Sequence, residues 1–154
     1  MNPMIVLAAV ALASAGQAQE IDERSYQLGV IGAFAEVVGL GVKKLALSSA
    51  MSPEQMDALI GEAEKIIERN GALSYRETDF LVTDLFPSEV TEGKHVILIY
   101  RDPVKDEYMA LKARKRRLIE RGRYEGEPRK AIAREMGRLL SYPEERIEKT
   151  LEPK

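Results

Sequence analysis

The chain has no cysteine and no tryptophan, and His95 is the single histidine among its 154 residues. Without cysteine there are no disulfides, no thiolate metal sites and no cysteine nucleophile. One imidazole rules out a three-histidine metal site within one copy, and a Ser-His-Asp triad has only His95 to use. No Walker loop, GxGxxG, GxSxG, HExxH or EF-hand pattern occurs, and Gly39-Leu40-Gly41 is too short for a nucleotide loop. No metal is therefore assigned, and no cofactor is named by the residues.

Charge is also missing from the start, where the first Lys or Arg is Arg24. Met4 to Ala15 is almost wholly apolar, followed by Gly16, Gln17 and Ala18 and then by the polar stretch Gln19 to Arg24. This order is that of a secretory signal peptide, with small residues at Gly16 and Ala18, or at Ala13 and Ala15, before a cut. The run falls short of the roughly 20 residues of a membrane span. The expectation is a leader over residues 1–18 and a single exported domain over 19–154, periplasmic or extracellular. The alternatives are a cytoplasmic protein with this segment packed in its fold, and an uncleaved membrane anchor.

The composition, with 45% hydrophobic and 31% charged residues, is that of an ordinary globular domain able to bury a core unaided. Its net charge of −2 conceals an asymmetry. Residues 1–111 carry nine Lys/Arg against seventeen Asp/Glu, whereas residues 112–138 carry eleven against four. The basic block either pairs within the molecule or forms a binding face.

Ser25 to Leu47 reads as one helix with a wide apolar arc, relieved by Gly29, Gly32, Gly39 and Gly41. Ser52-Pro53-Glu54-Gln55 is a capping box with proline at the first helical position, and the spacing predicts a helix over 53–69 that stops at Gly71. Phe80 to Thr83 is rich in β-formers. Lys94 to Tyr100 is the clearest strand, apolar on both faces and so expected to be central. Asp102-Pro103 reads as the cap of a basic helix with an apolar stripe of Tyr108, Leu111, Leu118 and Ile119, ending at Gly122. A helix opened by Glu125 to Pro128 follows, broken at Ser141-Tyr142-Pro143, then a last helix over Glu144 to Leu151. The fold class is α+β: a helix-rich single domain with a small two- to three-stranded sheet.

Three features carry candidate chemistry. Glu77 and Asp79 share a face of a regular strand, and His95 lies on the neighbouring one, a pairing suited to acid–base catalysis or metal-assisted chemistry. Glu36 sits in the most apolar helix, where burial would raise its pKa. The helix over 112–123, with Arg114, Lys115, Arg116 and Arg117, has the footprint of an anion site for a protein, a lipid headgroup or a nucleic acid. Only Tyr108 and Tyr124 stand near it as aromatic platforms, and no nucleic-acid motif accompanies it.

Gly137-Arg138-Leu139-Leu140-Ser141-Tyr142-Pro143 resembles a helix-ending G-x-L-L-G-Y-P phrase of uncharacterised prokaryotic families. Ser141 stands where that phrase has glycine, and glutamates stand where cysteines often follow. The resemblance implies a helix–turn–helix packing unit and no activity. The reading as a whole is a small binding or accessory domain. Its alternatives are an enzyme centred on His95 with Asp79 and Glu77, and a cytoplasmic nucleic-acid binder using the basic helix.

Overall fold

A computed structural model describes residues 22–86 and 88–152. The leader expected over residues 1–18 lies outside them. The elements run α1 (Glu23–Gly39), β1 (Leu45–Leu47), α2 (Pro53–Arg69), β2 (Leu73–Glu77), β3 (Val96–Tyr100), α3 (Val104–Glu120), α4 (Gly126–Leu139) and α5 (Glu144–Leu151). The fold is α+β and helix-rich, with one antiparallel sheet of order β1-β3-β2. Among the described residues no helix is long and apolar enough to cross a membrane.

All five residues of β3 are buried, because the strand is central and covered on both faces. Ile97 and Ile99 face α1 and α2, packing with Ile31, Val38, Met56 and Ile67. Val96, Leu98 and Tyr100 face α3 and α4, packing with Tyr108, Leu111, Ile132 and Met136. The period-two alternation of one strand thus serves two separate apolar clusters. A third cluster holds α5 onto α4 through Ala133, Ile147 and Leu151.

The capping box forms as its residues require. Ser52 accepts from the Gln55 N–H at 3.2 Å, and the Gln55 side chain accepts from the Ser52 N–H at 2.9 Å. Four expectations are corrected. The first helix ends at Gly39 rather than Leu47, because Gly41 turns the chain at φ +76° and Leu45 to Leu47 pair with Tyr100 to Leu98 as an edge strand. The second strand is Leu73–Glu77, and Phe80 to Thr83 is irregular chain buried under α3, where the Leu81 N–H donates to the Tyr108 hydroxyl at 2.9 Å. Asp102 makes no cap bond; Pro103 occupies the N-cap position of α3. Ile119 is exposed rather than part of the buried stripe.

The helix break after α4 is tight. Ser141 adopts φ +58°, the left-handed conformation that favours glycine, and its hydroxyl accepts the Lys44 N–H at 2.9 Å. Gly137 lies against Ile147 so closely that a Cβ there would stand 2.7 Å from the isoleucine side chain.

Candidate functional site

Arg76 and Glu77 are consecutive on β2, so their side chains leave opposite faces of the sheet. Arg76 turns toward α2. Its guanidinium bonds the Asp57 carboxylate at 2.5 Å and the Pro53 carbonyl at 3.4 Å, and donates to His95 Nδ1 at 2.7 and 3.0 Å from its two nearer nitrogens. With Nδ1 accepting, the ring proton sits on Nε2.

Glu77 turns toward α3 and is almost wholly buried. The Lys112 ammonium lies 3.1 Å from each of its oxygens, and Glu77 Oε1 accepts the Asp79 N–H at 2.8 Å. Lys112 also reaches the Asp79 carboxylate at 3.2 Å and the Asp79 carbonyl. One turn earlier on α3 is Tyr108, fully buried. Burial pushes its hydroxyl far above the ordinary tyrosine range, and the Glu77 charge adds to the effect.

These contacts separate what the sequence grouped. Glu77 and Asp79 do meet, on the Lys112 ammonium, but His95 lies across the sheet with Arg76 at its Nδ1. The expected carboxylate–imidazole pair does not assemble, since the strand phase is set by the Glu77–Val96 register. Glu36 is on the exposed side of α1. Among the described residues, no group of three His, Asp or Glu side chains is placed to hold a metal.

The basic helix divides in two. Arg114 is paired with Glu135 of α4 at 2.6 Å. Lys115 donates to the Val82 carbonyl at 2.6 Å and lies over the Tyr124 ring at 5.1 Å, and burial pushes its ammonium pKa down. Arg116 and Arg117 are exposed and make no ion pair among the described residues.

Between α3, α4 and the turn before β1 lies an open groove of about 510 Å³. Its polar rim is Lys44, Arg114, Arg117 and Arg138, opposed by Glu107 and Glu135, over an apolar floor that includes Leu111 and Leu139. Arg138 is held by Glu144 of α5 at 2.7 and 3.1 Å, while Lys44 and Arg117 have no carboxylate partner among the described residues. Sequence reasoning found Arg114 and Arg117 and missed Lys44, Arg138, Glu107 and Glu135. The steps of three, Arg114 to Arg117 and Glu135 to Arg138, put each pair on one face of its own helix, but no local signal says that the two faces meet. Lys44 gave none, because the turn that carries it read as helix.

Compared with known proteins, the chain matches no family model, no curated protein and no solved structure.

Proposed function

We propose that this is a small exported binding or accessory module that takes a polyanionic ligand in the groove between α3 and α4. The observation that carries the reading is the convergence of four cations on one groove, two of them, Lys44 and Arg117, without a carboxylate partner among the described residues. Arginine presents a planar fork suited to phosphate and carboxylate oxygens, and Arg114 and Arg138 are held in place by Glu135 and Glu144. Lys44 is positioned by its backbone bond to Ser141.

Base-stacking recognition of a nucleic acid has less support. Tyr108 is buried, and the Tyr124 ring already carries Lys115 at 5.1 Å and Arg129 at 5.9 Å. The enzyme reading has less support, since His95 and the Glu77 carboxylate lie on opposite faces of the sheet.

The test is calorimetric titration with inorganic tripolyphosphate at low and at moderate salt. The wild-type chain binds, more weakly as salt rises. Arg117→Glu and Lys44→Glu each weaken binding about tenfold, because each removes a charge-assisted contact and adds a repulsive one. A wild-type chain that takes up no tripolyphosphate at low salt removes the reading.

A further inference from the structure

The turn between α1 and β1 carries the two most exposed large apolar side chains among the described residues, Leu40 at 72% and Val42 at 74%. Their exposure is enforced by the backbone. The N–H groups of Leu40, Gly41, Val42 and Lys43 all return to carbonyls of the last turn of α1, at 2.9 to 3.2 Å. On the other side, Gly39 abuts the Asn70 carbonyl so tightly that no side chain fits there. The tip is therefore a fixed projection, with its two apolar groups held outward.

Cations surround it. The Arg101 guanidinium lies beside Gly41, 3.2 Å from where a Cβ would stand. Lys44, two residues past Val42, is the rim residue of the anionic-ligand groove. Lys43 alone is turned inward, donating to the Leu140 carbonyl and lying over the Tyr142 ring at 5.3 Å. Arg101 and Lys44 make no ion pair among the described residues.

We propose that this tip and the groove form one surface that docks on an anionic phospholipid bilayer. Leu40 and Val42 enter the headgroup–acyl boundary, while Arg101, Lys44 and Arg117 face lipid phosphates. The inference rests on the anion-binding reading of the groove and narrows its ligand to lipid headgroups. Shape and charge favour a bilayer over a protein partner. A specific protein interface buries roughly 800 Å² on each side around a packed centre, which two projecting side chains on a convex turn do not offer. Peripheral membrane binding needs only such a pair of weak signals together, a few apolar groups and a cluster of cations, each cation adding about fivefold near an anionic surface.

The chain lacks tryptophan, so Leu40→Trp supplies a clean reporter. Three probes are used with the full chain: phosphatidylcholine vesicles, mixed phosphatidylcholine–phosphatidylglycerol vesicles, and tripolyphosphate. The Leu40→Trp indole emission shifts to the blue with the mixed vesicles and stays unmoved with phosphatidylcholine alone. In co-sedimentation, the double variant Leu40→Ser/Val42→Ser loses about tenfold of its mixed-vesicle partition, as expected for two partly inserted aliphatic groups, and keeps its tripolyphosphate affinity. Tripolyphosphate binding with no blue shift overturns the membrane inference and leaves the groove reading standing. Failure of both tripolyphosphate and vesicles overturns the two together.

Discussion

The Lys112 ammonium stands 3.1 Å from both oxygens of the Glu77 carboxylate, and that carboxylate is almost wholly shielded from water. The pair joins the last residue of β2 to the middle of α3 and brings Asp79 into the same knot. A charge in such a place is tolerable only while its partner remains. Lys112→Met is therefore expected to destabilise the fold by about 3 kcal/mol. The double variant Glu77→Leu/Lys112→Met recovers at least half of that loss, since it leaves no buried ion behind. Urea denaturation of the two singles and the double measures the coupling; a Lys112→Met variant as stable as wild type shows the carboxylate to be solvated.

Ser141 combines an unfavourable backbone conformation with a useful side chain. Its left-handed φ costs roughly 1 kcal/mol, and its hydrogen bond from the Lys44 N–H returns about the same. Ser141→Gly is expected to be nearly neutral, because it gives up both. Ser141→Ala keeps the strained conformation and loses the bond, and should be less stable by about 1 kcal/mol. Equal stabilities for the two variants, both of which lose the bond, would show that the left-handed backbone carries no cost.

Tyr108 gives the fold a ceiling in alkaline solution. Its hydroxyl is held neutral by burial far above the ordinary value of 10.0, whereas in the unfolded chain it ionises there. A raised native pKa means that its contribution is fully present below pH 10 and is lost as pH climbs beyond that point. Burial raises Tyr100 and Tyr124 in the same direction, and lowers Lys43 and Lys115, which act oppositely. Denaturation curves recorded from pH 9 to 11 are expected to show falling stability, by up to about 1.4 kcal/mol per pH unit for one tyrosine. Tyr108→Phe, less stable at neutral pH for want of the Leu81 bond, should show a shallower fall; an unchanged slope would assign the effect elsewhere.

The proposed leader makes a prediction of its own. Protein recovered from its native cell should begin near Gln19 by intact mass. A chain cut there still carries Asp22, whose side chain caps α1 by accepting from the Ser25 N–H at 3.2 Å. Recovery of the chain with Met1 in place, from the cytosolic fraction, would end the export proposal.

Some elements were legible because their signals are local. Ser52 and Gln55 state a helix start within four residues, and Pro53–Arg69 follows as read. The apolar run of β3 states its own central position, and Ile147 and Leu151 fix the buried side of α5. The failures lie where distant contacts override local preference. Leu45 to Leu47 is too short to break the helical pattern before it, and becomes a strand only through Tyr100 to Leu98. Phe80 to Thr83 has the composition of a strand, yet its chain is held by Tyr108 and Lys115 of α3. The candidate site divides in the same way. Arg114 and Arg117 are visible as a basic run, whereas the groove needs Arg138 from α4 and Lys44 from the turn before β1.

Lys43 and Lys44 fasten to Leu140 and Ser141, residues 97 positions away along the chain. Translation must therefore pass Ser141 before the cationic mouth can take shape. A ribosome-tethered fragment ending at Gly122 would own most of the basic side chains, yet lack the clasp that arranges them. On the proposed anion-binding reading, the order of synthesis delays polyanion capture until residues 140 and 141 have emerged.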